Sequence, residues 1–137
     1  MKGSDQTLLE KLKDDIESNN AFANLIGVEL LDVSAGYARA RMELTKQCGN
    51  IYGAMHGGCA FSLADTVAAL AVVTYGDHVT TLNASVNYMK PVADTKYLYC
   101  DANVERHGRK VSVVKAELTN DKGELLINGS FTYYRLQ

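Results

Sequence analysis

The 137-residue sequence has no tryptophan, one proline and only three cysteines. No Pro-rich or Gly/Ser-rich stretch, repeat or low-complexity segment divides it, so residues 1–137 are read as one domain. Cys48, Cys59 and Cys100 are odd in number and form no C-x-x-C pair. That excludes a closed disulfide framework and points to reduced, mostly buried thiols in a cytoplasmic protein. His56, His78 and His107 show no clustered ligand spacing, so no metal is expected. An excess of positive charge is also missing: 14 basic residues face 16 acidic ones, for a net charge of −2. Bulk charge therefore gives no sign of nucleic acid as a partner, and no acidic run suggests a disordered tail. It leaves room for a local basic patch that takes a phosphorylated ligand. The opening stretch MKGSDQTLLEKLKDD is charged rather than apolar, so no secretory leader is expected.

The one long apolar run lies between Gly57 and Gly76. Asp65, Ser62 and Thr66 interrupt it, and an Asp at the centre of a membrane helix costs about 2.5–3.5 kcal/mol. The run is read as a core helix, with no membrane partner. From Gly57 to Tyr75 the only charged side chain is Asp65, and apolar residues point in every direction around a 3.6-residue period. Such a helix is expected to be enclosed by other structure. A carboxylate there is costly unless it is paired or hydrogen-bonded, which makes Asp65 a functional candidate. At the helix start, Gly57 and Gly58 have no side chains to shield the N–H groups of the first turn. Free N–H groups at a helix N-terminus suit an anion or a developing oxyanion. His56 and Asn50 lie just upstream, with polar groups that could converge there.

The rest of the chain is read from periodicity. Residues 7–18 place Leu8, Leu9, Leu12 and Ile16 on one face of an amphipathic helix, so residues 1–20 form a helical segment laid on the domain. A short helical turn follows over 21–26, ended by Gly27. Strands are expected over 28–33 and 37–44, the second with Ala38, Ala40, Met42 and Leu44 on its apolar face. The loop 45–55 leads to the central helix. Strands then follow over 79–89, 96–106, 110–119 and 125–135. In the first of these, Leu82, Ala84, Val86 and Tyr88 are expected opposite Thr81, Asn83, Ser85 and Asn87. Asn120 to Gly123 is a hairpin signal. With no alternating βαβ rhythm, the class is α+β with a mainly antiparallel sheet curved around one long helix.

The pattern N-x-x-G-x-x-H-G-G-x-x-F-x-L-A-D is met by Asn50, Gly53, His56, Gly57, Gly58, Phe61, Leu63, Ala64 and Asp65. On it the chain resembles the PaaI-type branch of the hotdog-fold acyl-CoA thioesterases. The likeness continues through Thr81 to Pro91 and the Gly108-Arg109 turn, and spans roughly residues 20 to 135. It implies the hotdog fold, in which a curved sheet wraps the central helix. It also implies hydrolysis of an acyl-CoA with no cofactor, CoA being part of the substrate. The implied assembly is a homodimer, and a homotetramer of paired dimers.

The resemblance makes Asp65 the carboxylate of thioester hydrolysis, either attacking the acyl carbon or deprotonating a water that does. Gly57 would supply a backbone N–H to the thioester oxygen, with Gly58 beside it; alternatively the pair only permits close packing. His56 would orient the carbonyl or sit near the leaving thiolate, or else fix the loop. Asn50 would position the carbonyl or the water, or else stabilise a turn. Thr81 falls where relatives place a hydroxyl that holds water or the carboxylate; a plain strand threonine is the alternative, and Thr80 is its neighbour on the opposite face. Arg106, His107, Gly108, Arg109 and Lys110 would meet the nucleotide end of CoA, with Lys90 a further contact, or else form a solvated charged turn. Cys48 and Cys59 lie in no recognised Cys–His arrangement and are not taken as nucleophiles.

Asp65 lies about two turns past Gly58, roughly 10 Å along the axis. One reacting carbon cannot touch both. Either the Asp is unrelated to the donors, or it works with the helix N-terminus of a second copy, as in a two-fold dimer with two shared sites. Two other functions fit the same scaffold: an acyl-CoA or lipid-binding module without catalysis, and an enoyl-CoA hydratase.

Overall fold

The structure, a computed structural model, describes residues 5–136; the first four residues of the expected N-terminal segment and residue 137 lie outside the described residues. Helix α1 (Gln6–Asn19) opens on Asp5, whose carboxylate accepts from the Leu8 N–H at 3.0 Å. Its apolar stripe of Leu9, Leu12 and Ile16 is buried, and the helix packs on the first strand. Helix α2 (Ala21–Ile26) is capped by Asn20 and ends at Gly27. The remaining elements are β1 (Glu29–Ser34), β2 (Tyr37–Glu43), a single 3-10 turn (Lys46–Cys48), α3 (Gly57–Val73), β3 (His78–Tyr88), β4 (Tyr97–His107), β5 (Val111–Thr119) and β6 (Leu125–Leu136).

The six strands form one antiparallel sheet in the order β1-β2-β4-β5-β6-β3. The sheet and its central helix form the expected hotdog architecture. Helix α3 packs on β2, β3, β4, β5 and β6. Small residues suit that contact: Ala38, Ala40, Ala102 and Ala116 of the sheet are buried in one apolar cluster with Leu63, Ala64, Val67, Ala68 and Ala71 of the helix. Full burial of a side chain such as Leu63 is worth about 1.5–3 kcal/mol. The sheet is a single layer, however, and one layer covers only part of a helix. Ser62, Asp65, Thr66, Ala69, Leu70 and Val73 are half-buried, so the helix is not enclosed on every side as its composition led one to expect. Strand β3 is one edge of the sheet, and most of its residues, Leu82 and Tyr88 included, are exposed.

Two register shifts change which side chains face the helix. In β3, Thr81 pairs with Tyr133 whereas Asn83 pairs with Thr132, so Leu82 is an extra residue. Strict alternation would put Thr81 on the same face as Asn83, Ser85 and Asn87. The bulge turns it to the inner face, beside the buried Tyr133. In β4 the shift falls between Val104 and Arg106, and His107 consequently pairs with the buried Ser112.

Candidate active site

The loop before α3 is built by its own hydrogen bonds. The Asn50 side-chain oxygen accepts from the N–H groups of Tyr52 at 2.8 Å and Ala54 at 3.1 Å, and the Asn50 N–H donates to the Ala54 carbonyl at 2.7 Å. Gly53 supplies a φ of 81° at the tip, a value glycine adopts without strain. The His56 N–H donates to the Cys48 carbonyl at 2.6 Å and the Met55 N–H to the Val92 carbonyl at 2.9 Å, which ties the loop to the domain. Asn50 is therefore a turn-stabilising amide. Two N–H donors claim its oxygen, which leaves the NH2 group as the part of the amide able to donate elsewhere.

His56 is the N-cap of α3, and its Nδ1 accepts from the Gly58 N–H at 2.8 Å. An accepting Nδ1 leaves Nε2 to carry the proton of the neutral ring, on an exposed side chain. His56 thus fixes the loop and still presents a donor. Among the described residues the Gly57 N–H has no acceptor within the chain. Gly57 and Asn50 line a cleft of about 340 Å³, together with Met55, Tyr88, Lys90 and Ile127. The Tyr88 hydroxyl donates to the Gly57 carbonyl at 3.0 Å. Lys90 forms an ion pair with Glu124 and holds that carboxyl below its ordinary range.

Asp65 lies eight residues on, about 12 Å along α3, and is not part of that cleft. Its carboxylate accepts from the Thr81 hydroxyl at 3.0 and 3.3 Å and from the Tyr133 hydroxyl at 2.8 Å. The Tyr133 oxygen is also 2.8 Å from the Asp65 carbonyl. That carbonyl already serves the helix ladder, so the charged carboxylate is the stronger acceptor. No Lys, Arg or His pairs with Asp65 among the described residues. Tyr133 is 1% exposed; burial first, and then the Asp65 charge, push its pKa far above the usual tyrosine range. It remains a protonated donor. Sequence reasoning missed Tyr133, because a tyrosine among the apolar residues of a terminal strand carries no motif. Thr80, the neighbouring alternative, pairs with Tyr134 and is exposed.

The basic cluster is divided. Arg109 and Lys110 line a cavity of about 410 Å³ at the far end of α3, with Asp77, His78, Tyr134 and Arg135. Asp77 is 4% exposed and accepts from His107 Nε2 at 2.8 Å, with Arg135 Nη2 at 3.4 Å. Tyr75 stacks on the His107 ring, with centroids 4.0 Å apart. His107 is thus taken up by the fold, having been turned inward by the β4 bulge. Arg106 is exposed outside that cavity, and Lys90 belongs to the cleft at the other end of the helix. Gly108 has a steric reason of its own: a Cβ there would sit 2.3 Å from the Val111 carbonyl oxygen.

The thiols are free. Burial, with Cys48 as a neighbour, pushes Cys59 up to about 11, so at neutral pH it carries almost no thiolate. Cys48 is buried and bonded to the Thr45 backbone. No group of three or more His, Cys, Asp or Glu side chains suits a metal ion among the described residues, and none of their helices is long and apolar enough to cross a membrane.

The sequence profile of the thioesterase superfamily matches residues 52–127, which include Gly57, Asp65, Thr81 and Arg109. The chain is 29% identical to the acyl-coenzyme A thioesterase PaaI of Escherichia coli over 104 residues, 76% of this chain and 74% of that one. The solved E. coli PaaI protein of the phenylacetic acid degradation operon superposes with a TM-score of 0.90 at 24% identity, covering 98% of this chain and 97% of that one. A Streptococcus mutans protein solved bound to acetyl CoA superposes with a TM-score of 0.77 at 26% identity, over 80% of this chain and 89% of that one. A profile that spans more than half of the chain, on this fold, shows that the protein belongs to the thioesterase superfamily.

Proposed function

We propose that this protein hydrolyses acyl-CoA thioesters, at a site completed by a second copy of the chain. The observation that carries the reading is Asp65: a half-buried carboxylate paired with no cation among the described residues and aimed by two hydroxyl donors. The carboxylate is too far from the Gly57 N–H of its own helix to act on the same carbon. A two-fold axis resolves this by setting Asp65, Thr81 and Tyr133 of one protomer against Asn50, His56 and Gly57 of the partner. The exposed edge strand β3 lies beside both half-sites, through Thr81 and Tyr88, and offers the second copy a strand to pair with. Two such dimers stacked as a tetramer would leave each shared site whole.

In this site the thioester carbonyl accepts from the Gly57 N–H at the positive end of α3, assisted by His56 Nε2–H and the Asn50 amide. Asp65 either attacks the carbonyl carbon or takes the proton of a water that does. If water attacks, the C–S bond breaks to give the acid, and the proton taken by Asp65 passes to the leaving CoA thiolate. If Asp65 attacks, C–S cleavage leaves a mixed anhydride on the carboxylate. Water hydrolyses that anhydride to the acid and free Asp65, a proton of that water going to the thiolate. No cofactor takes part, CoA being substrate. The apolar lining of Met55, Met89, Val92 and Ile127 suits an aryl or medium-chain acyl group. Arg109, Lys110 and Arg135 suit the phosphates of the nucleotide, and they line a cavity past the end of α3, which runs about 12 Å beyond Asp65.

Asp65→Asn tests the reading. Its amide keeps an oxygen for Tyr133, and the Thr81 hydroxyl can reverse to accept, so the fold survives. Turnover should fall by roughly a thousandfold or more. Thiol release at the wild-type rate in that variant would overturn the mechanism. Tight acyl-CoA binding with no thiol release by the wild type would assign a binding module instead, and an active monomer would remove the shared site.

A further inference from the structure

Tyr88 ends β3 with its ring in ordinary contact with Gly57: a Cβ built on that glycine would lie 3.5 Å from the ring. Its hydroxyl donates to the Gly57 carbonyl at 3.0 Å. The same peptide unit runs on to the Gly58 N–H, which donates to His56 Nδ1 at 2.8 Å. One peptide plane is therefore gripped at both ends, by a strand on one side and by the N-cap on the other. The grip matters because two successive glycines are the least restrained backbone in the chain, at the end of a helix that frays most readily. Among the described residues the Gly57 N–H has no acceptor. It belongs to the preceding peptide, whose His56 carbonyl accepts from the Cys59 N–H at 2.9 Å and the Ala60 N–H at 3.2 Å. Holding the peptide that follows as well fixes both planes that meet at the Gly57 Cα. Among the described residues the hydroxyl has no other partner, and for packing on Gly57 a phenylalanine ring would serve equally well. Partial burial raises the Tyr88 pKa, so the group stays a donor at neutral pH.

We propose that Tyr88 is a positioning residue, which with His56 clamps the Gly57–Gly58 peptide and so aims the Gly57 N–H at the thioester oxygen. The proposal rests on the thioesterase reading for its consequence, but not for its geometry. Tyr88→Phe tests it, since the ring is kept. The variant should lose about tenfold in kcat, with KM, the Ki of free CoA and Tm unchanged. A merely structural role would lower Tm or raise KM instead. In ¹⁵N-labelled protein the Gly57 and Gly58 amide resonances should move in the variant, while those of the last turn of α3 stay in place. An unchanged kcat, or unchanged glycine amides, would overturn the clamp. If the wild-type protein hydrolyses no acyl-CoA, the thioesterase reading fails and the amide shifts still decide whether the clamp exists.

Discussion

Tyr133→Phe separates the two hydroxyl donors that hold Asp65. Tyr133 is almost fully buried and donates at 2.8 Å, whereas Thr81 is exposed and donates at 3.0 Å. A hydrogen bond to a charged group contributes about 1.5–3 kcal/mol. Against that, the phenylalanine no longer buries a hydroxyl, and Asp65 keeps the Thr81 bond, so a net loss of about 1–2 kcal/mol is expected. For a chain of this size each kcal/mol moves Tm by roughly 3–5 °C, so the transition should fall by about 3–10 °C. Thr81→Ala removes a bond that water can replace, and should cost less than about 1 kcal/mol. Stability therefore distinguishes the two donors, while catalysis should not. With either hydroxyl gone the carboxylate gains freedom, and kcat should drop by about tenfold. The double variant should depart from the product of the single effects, because both act on one side chain. Thermal melts and thiol-release assays on the three variants are sufficient. If Tyr133→Phe leaves both Tm and kcat unchanged, the bond does not hold the carboxylate and the reasoning fails.

Arg109→Ala should raise KM for acyl-CoA far more than for a short thioester without the nucleotide; equal effects on both would remove phosphate recognition from that cavity. Cys59, raised from 9.0 to about 11 by burial, is protonated in the folded state over a range where the unfolded chain ionises. Its contribution to stability is complete below about pH 9 and is lost as pH climbs toward about 11. The buried Tyr133 and Cys100, both shifted upward by burial, act with the same sign. Unfolding free energy measured by denaturant should therefore decline above pH 9, and less steeply in Cys59→Ala; a rise with pH would contradict the burial argument. Gly108→Ala drives a Cβ to within 2.3 Å of a backbone oxygen, which no side-chain rotation can relieve. It should cost about 1–3 kcal/mol in a melt, and an unaltered Tm would show that the β4–β5 turn yields freely.

Local chemistry determined much of this protein without help from the fold. The apolar run interrupted only by Asp65, the paired glycines after His56, and the alternation of Ala38, Ala40 and Met42 specify a helix against a sheet and mark the carboxylate, because period and burial cost are written in the order of residues. Asn50 was visible in the same way, although whether its oxygen served the loop or a ligand was open until the Tyr52 and Ala54 N–H groups were seen to claim it. Tertiary structure decided which face each strand residue takes. Period two assigned Thr81 to the outer face, and one extra residue at Leu82 turned it inward to Asp65. The corresponding bulge in β4 took His107 out of the basic cluster and gave it to Asp77. Tyr133, which has no neighbour in sequence to announce it, joined the site only through strand pairing. A single-residue shift in register reverses every side chain beyond it, and register is settled by pairing between distant strands rather than by the residues of one strand.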